Sequence, residues 1–311
     1  MAKRDFLAVT DLTLAESREV LALAKQLKAE PKGTRADLLR GRSVAIVLEK
    51  ASTRTRVSFE VGVAQLGAHP VVLGVQGSQL GRGEPIRDTA RVLARYCDAI
   101  VYRTAATSRL VEMAQASVPV INALSDDGHP VQVLCDVFTI EEHLGAIAKK
   151  RIAFVGDCSS NMARSWLEAA RLFDFQLVLS APEGYLPPRE EIARAGSHVT
   201  VVSDPRAAAA GADVVNTDVW TSMGQEAEND ARREAFAGFT VDASMLAAAP
   251  PHAIVLHCLP AHRGEEIDDA TIEGPRSRVW DQAENRLHVQ KGLLCWLLGV
   301  APRGEDFTGR S

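Results

Sequence analysis

Val44-Ala-Ile-Val-Leu48, then Ser52-Thr-Arg-Thr-Arg56, then the helically spaced run from Val57 to Leu66 decide the fold class of this chain. The first five residues are apolar without a break, as suits a strand covered on both faces. The next five put hydroxyls and guanidinium groups where a strand passes into a helix. Backbone N–H groups left free at a helix start attract an anion, and the macrodipole adds to that pull. Short hydroxyls donate to phosphate oxygens, and an Arg fork grips two of them at once. The stretch therefore predicts a strand–turn–helix unit with a phosphate cradle at its turn. The same residues also suit a helix N-cap followed by two solvated arginines. Because 27 of the 35 basic residues are Arg, any single Arg carries little weight.

Outward from that unit, apolar strand-like runs alternate with helical patterns almost throughout. Pro70–Leu73, Ala99–Tyr102 and Val118–Ile121 read as further strands, with helices at Thr55–Leu66, Pro85–Tyr96 and Arg109–Ala116 between them. A second series follows, with strands at Ile152–Val155, Gln176–Leu179, Val199–Val202, Asp213–Asn216 and Ile254–His257. Helices at Ala163–Leu172, Arg189–Ala195 and Arg206–Ala210 separate these. The alternation predicts an α/β chain of two domains, each a parallel sheet flanked by helices. Val131–Ile147 reads as one long helix, and the break at Lys149-Lys150 sets the expected boundary. Residues 1–147 then form one domain and 148–283 the other. A last helix, within residues 284–311, is expected to cross back onto the first.

At 311 residues the chain suits two domains. Its net charge of −5 and its dispersed basic residues point away from nucleic acid and from a charged membrane surface. No apolar run is long enough to span a bilayer, and the N-terminal stretch lacks a secretory apolar segment. Five cysteines without a CxxC pair fit free thiols in a reducing cytoplasm, with no structural metal. A GxGxxG fingerprint is absent, which counts against a dinucleotide cofactor.

Ligands of open α/β sheets sit beyond the carboxyl ends of the strands. Six polar clusters follow strands here: Ser52–Arg56, Arg103, Ser125–Gln132, Gly156–Asn161, Thr217–Gly224 and Cys258–Arg263. They are expected to converge on one cleft between the domains.

Ser52-Thr-Arg-Thr-Arg56, His129-Pro-Val-Gln132, Asp218-Val-Trp-Thr-Ser222-Met-Gly224 and His257-Cys-Leu-Pro-Ala-His-Arg263, in that order, resemble the ornithine carbamoyltransferases. Gly77-Ser-Gln79 and Ala283-Glu-Asn-Arg286 extend the resemblance over nearly the whole chain. It implies that the first domain binds carbamoyl phosphate, with Ser52, Thr53, Arg54 and Thr55 on the phosphate and Arg103 and Arg286 adding charge. Gln79 would reach the site, in this family from a neighbouring subunit of a trimer; otherwise it is a solvated loop residue. His129 and Gln132 would take the carbamoyl end. A lone His before Pro also suits a cap or a core position, but Gln132 lies one turn further on. Thr55, Arg103 and His129 would together polarise the carbonyl oxygen.

The second domain would choose the nucleophile. Asp218 would hold an α-ammonium group, with Ser222 beside it; an Asx-turn is the alternative for Asp218. Asn161 and the Met223 backbone N–H would meet the α-carboxylate, on a closing loop. Cys258, elsewhere a small hydrophobe, would sit near the δ-amine and tune it without forming a covalent bond. Leu259 would give its carbonyl to the carbamoyl NH2. Two departures stand out: Ser160 occupies the place of a second Asn, and Arg164 that of a smaller or neutral group. The resemblance implies ornithine carbamoylation without metal or organic cofactor, in a cytoplasmic homotrimer or multiple of trimers.

Overall fold

The computed structural model describes residues 3–76, 78–221 and 229–300. These divide into two compact units. One comprises residues 3–7, 11–125 and 286–300, the other residues 8–10, 126–221 and 229–285.

The first unit opens with a helix that the sequence reading missed, Leu14–Ala29 (α1), capped by a reciprocal box in which Thr13 and Glu16 each take the other's backbone N–H. Then come Ser43–Leu48 (β1), Thr53–Gln65 (α2), His69–Gly74 (β2), Ile86–Tyr96 (α3), Ala99–Arg103 (β3), Thr107–Met113 (α4) and Val120–Leu124 (β4). Their sheet runs β2-β1-β3-β4, with every pair parallel. Ala45, Val47, Ile100 and Tyr102 face Ile86, Leu93, Leu110 and Met113 in its core.

The second unit begins its regular structure with Pro130–Leu144 (α5), followed by Arg151–Val155 (β5), Asn161–Phe173 (α6), Gln176–Ser180 (β6), Arg189–Ala195 (α7), Val199–Val201 (β7), Pro205–Ala209 (α8) and Val214–Thr217 (β8). Three short helices, Asn229–Ala235 (α9), Ala243–Leu246 (α10) and Asp269–Ile272 (α11), surround Ile254–His257 (β9). The sheet order is β7-β6-β5-β8-β9, again all parallel. Trp220, Phe236, Val241 and Met245 pack with Val155, Val215 and Val255 on one face.

Two parallel sheets flanked by helices are thus what the alternation foretold. By contacts the first unit ends at Ser125, ahead of α5, and Lys149-Lys150 lies inside the second unit. The reason is chemical: α5 is tied to the start of the last helix, Val279–Leu297 (α12), by Gln282–Asp136, Asn285–Thr139 and Asn285–Glu142 hydrogen bonds. From Arg286 onward α12 belongs to the first unit. Gly292 permits this, because a Cβ there would lie 2.7 Å from the Val20 carbonyl oxygen of α1.

Candidate active site

In the first unit the strand order reverses between β1 and β3, and the polar residues after those two strands form the candidate anion site. Ser52 caps α2, its Oγ taking the Thr55 N–H at 3.4 Å and donating to Thr55 Oγ1 at 3.0 Å. Arg286 of α12 closes on the same hydroxyl, with Nη2 to Thr55 Oγ1 at 2.9 Å. Both Thr55 and Arg286 are buried. A hydroxyl pair and a guanidinium therefore surround the start of α2, where the helix presents its free N–H groups. Thr53 is exposed and Arg54 half-buried in that first turn, whereas Arg56 turns outward to Glu60 at 3.3 Å. The helix cap and the candidate cradle thus share the same residues, and Arg56 is turned away from them to its ion pair with Glu60.

Arg103 ends β3 half-buried, and its carbonyl accepts the Glu49 N–H at 2.9 Å. Glu49 was absent from the sequence reading, yet it organises this turn. Its carboxylate accepts from Tyr102 Oη (2.8 Å), Thr104 Oγ1 (2.5 Å) and Arg109 Nε (3.0 Å). Burial raises the Glu49 carboxyl, and the bonds from Arg109, Thr104 and Tyr102 outweigh it, leaving it below the usual carboxylate range. Gln79 is exposed on a short 3-10 turn, Gln79–Arg82, and is not joined to the Ser52–Thr55–Arg286 group. Gly77 lies outside the described residues.

In the second unit the strand order reverses between β5 and β8. Asn161 opens α6 beside that point, half-buried. Ser160 is the N-cap, its Oγ taking the Ala163 N–H at 3.3 Å, a duty Ser performs as well as Asn. Arg164 pairs with Asp127 and, at 3.5 Å, with Glu191. It lines a cavity of about 420 Å³ with Glu168, Arg171 and Arg194, and its charge is balanced there.

Asp218 follows β8. Its Oδ1 takes the Val219 N–H at 2.9 Å and the Cys258 thiol at 3.1 Å. Burial pushes the Asp218 carboxyl up, against the opposing effect of His257 and of these hydrogen bonds. The same oxygen thus serves a local backbone N–H and a thiol 40 residues along the chain. Ser222 and Met223 lie outside the described residues, as does Gly224.

His129 and Gln132 are both buried at the start of α5, with Pro130 at its first turn. The His129 N–H donates to Ser165 Oγ at 2.9 Å, and Gln132 Nε2 donates to Asp136 Oδ1 at 2.8 Å. Leu259 stands in the left-handed region at φ 61°, which costs a non-glycine residue about 1–2 kcal/mol. Its N–H donates to His257 Nδ1 at 2.9 Å, so the other nitrogen, Nε2, carries the proton given to Glu266 at 2.9 Å. His257 and Glu266 are fully buried. Asp218, His257 and Cys258 bring one potential ligand atom each within 4.8 Å of the others, but both ring nitrogens of His257 are already engaged.

A second buried tie escaped the sequence reading. Arg232 Nη1 bonds Asp157 Oδ2 at 2.8 Å and the Trp220 carbonyl at 2.7 Å. It joins the turn that leads to Asn161 with the segment that carries Asp218.

The model of the aspartate/ornithine carbamoyltransferase carbamoyl-P binding domain matches residues 4–142, and that of the Asp/Orn binding domain matches residues 148–297. The chain belongs to the aspartate/ornithine carbamoyltransferase family. A protein of Sorangium cellulosum named ornithine carbamoyltransferase is 73% identical over 308 residues, covering 96% of this chain and 99% of the relative. One of Pelobacter propionicus with the same name is 52% identical, covering 95% and 99%. The solved ornithine carbamoyltransferase of Pyrococcus furiosus superposes with a TM-score of 0.88 at 44% identity, covering 97% of this chain and 99% of that one. That of Burkholderia thailandensis gives 0.86 at 44%, covering 95% and 98%.

Proposed function

We propose that the first unit holds carbamoyl phosphate by its phosphate and that the second holds L-ornithine. The chain is a carbamoyltransferase that moves the carbamoyl group to the δ-amine of L-ornithine, giving L-citrulline and phosphate. The observation that carries the anion half is the closure of Arg286 on Thr55 at the capped start of α2. Ser52, Thr53, Arg54 and Thr55 bind the phosphate, with Arg103 and Arg286 supplying charge. Thr55, Arg103 and His129 donate to the carbonyl oxygen, while Gln132 and the Leu259 carbonyl accept from the carbamoyl NH2. Cys258 lies against this end and the acceptor amine.

Asp218 and Ser222 hold the α-ammonium group of ornithine; Asn161 and the Met223 N–H meet its carboxylate. The uncharged δ-amine attacks the carbamoyl carbon, a tetrahedral intermediate forms, and phosphate leaves against the guanidinium groups. An unperturbed alkylammonium has a pKa of about 10.4, so the rate rises with pH until the bound amine is mostly neutral.

Among the described residues no helix is long and apolar enough to cross a membrane. Val57 and Val61 of α2 and Val92 and Tyr96 of α3 are exposed apolar residues of the first unit, which supports assembly into a homotrimer with Gln79 reaching a neighbour's site. Arginine biosynthesis in the cytoplasm is the matching cellular setting. The test is a citrulline assay with purified protein, run against aspartate, putrescine and N-acetylornithine. Carbamoylation of one of these rivals in place of ornithine overturns the assignment of the acceptor.

A further inference from the structure

A chain of buried hydrogen bonds runs from the last strand of the second unit to Gln132, and its direction is fixed at one end. The His257 backbone N–H can only donate, and it donates to Gln282 Oε1 at 2.9 Å. Gln282 must then turn its Nε2 the other way, where it meets Asp136 Oδ1 at 2.7 Å. Asp136 Oδ1 is therefore an acceptor, and the side-chain atom of Gln132 that faces it at 2.8 Å must be Nε2. Gln132 Oε1 consequently points away from Asp136. Which end of an amide faces a neighbour is decided by its hydrogen-bond network, and this one is anchored on a backbone donor. Gln132, Asp136, Gln282 and His257 are all essentially without solvent exposure, so water does not relax the sequence of donors and acceptors.

We propose that Asp136 is a positioning residue for carbamoyl transfer: it locks the Gln132 amide with its oxygen presented to the NH2 of the carbamoyl group. This rests on the reading that Gln132 binds that end of carbamoyl phosphate. A carbamoyl NH2 has two protons to place and needs acceptors. A Gln132 turned the other way sets an NH2 against an NH2 and loses that bond. Asp136 never touches substrate; it acts through Gln132, and through Gln282 it links that choice to His257, the last residue of the strand that precedes Cys258 and Leu259.

The experiment is steady-state kinetics of Asp136→Ala, Asp136→Asn and Gln132→Ala with carbamoyl phosphate varied, together with inhibition by inorganic phosphate. Phosphate lacks the NH2 and reports on the anion cradle only. Asp136→Ala is expected to raise the KM for carbamoyl phosphate roughly tenfold, the effect of one misdirected hydrogen bond in a dry site. The phosphate inhibition constant is expected to stay unchanged. Asp136→Asn keeps an acceptor oxygen and is expected to recover most of the loss. An unchanged KM in Asp136→Ala, or a parallel rise in the phosphate constant, overturns the proposal. Gln132→Ala separates the two levels: if it leaves the KM untouched, the reading of Gln132 fails as well, whereas a raised KM there with a normal Asp136→Ala sinks only the positioning role. Should Asp136→Ala not fold, Gln282→Met removes the anchor while leaving Asp136. The same change in smaller measure is expected from it, and no change refutes the proposal.

Discussion

The proposed anion site of the first unit and the proposed acceptor site of the second are built in opposite ways. The first is mostly local: one turn between β1 and α2 supplies its cap, hydroxyls and Arg54, and only Arg103 and Arg286 arrive from elsewhere. The second rests on ties between segments far apart in sequence, the half-buried Asp218 with Cys258 and the buried Asp157 with Arg232. A helix start attracts an anion whatever follows it. Holding one amino acid and rejecting others needs polar groups fixed in three dimensions, and buried networks provide that fixity at the risk of leaving a charge stranded when one partner is removed.

The contrast can be broken most forcefully at Arg232. Arg232→Ala leaves Asp157 buried without its guanidinium and is expected to destabilise the protein by about 3–5 kcal/mol in denaturant unfolding. Inorganic phosphate should still bind at temperatures where the variant is folded; loss of that binding refutes the independence of the two sites. Arg54→Ala acts on the other side. Its kcat/KM for carbamoyl phosphate is expected to drop roughly a hundredfold to a thousandfold, as for other charge-stabilising donors, with thermal stability nearly intact.

Asp218→Asn sharpens the comparison by separating function from stability. Ornithine KM is expected to rise about tenfold, the loss of one charge-assisted hydrogen bond, while carbamoyl phosphate KM holds. Equal damage to both points to misfolding. Desolvation holds the Asp218 carboxyl above its ordinary value, so its ionised form opposes folding. The wild type loses stability as pH rises from the unfolded value of about 3.9 through the raised folded value. The Asn variant escapes that loss and is expected to melt higher than the wild type at neutral pH. The advantage should vanish below the unfolded value, where Asp218 is protonated in both states; an advantage that persists there contradicts the assignment. Smallest of all, Thr13→Ala removes the cap of α1 and is expected to cost about 1 kcal/mol of stability without changing either KM.

What the sequence disclosed follows the same contrast. The strands of both sheets were legible because each is a short apolar run set off from its neighbours, and Ser52–Thr55 because its chemistry sits on consecutive residues. Helix α1 was overlooked although Thr13 and Glu16 spell its start, since it precedes the first strand and lies outside the strand–helix alternation. Glu49 gave no local signal: its partners Tyr102, Thr104 and Arg109 lie 53 to 60 residues away. Asp136 reaches Gln282 across 146 residues and Arg232 reaches Asp157 across 75. Pairs of that separation become visible only when the sheet order brings them together. Ser160 and Arg164 show the converse, odd in sequence and unremarkable in place, one an N-cap and the other an ion-pair partner of Asp127.

The central claim is that a helix start, its hydroxyls and a guanidinium from α12 hold a phosphate. Calorimetric titration of inorganic phosphate into the wild type and Arg286→Met tests it most directly, since Met keeps the apolar stem and removes only the charge. Affinity at least tenfold weaker in the variant, with an unaltered unfolding curve, is the expected result; equal affinity in the two proteins would contradict the account.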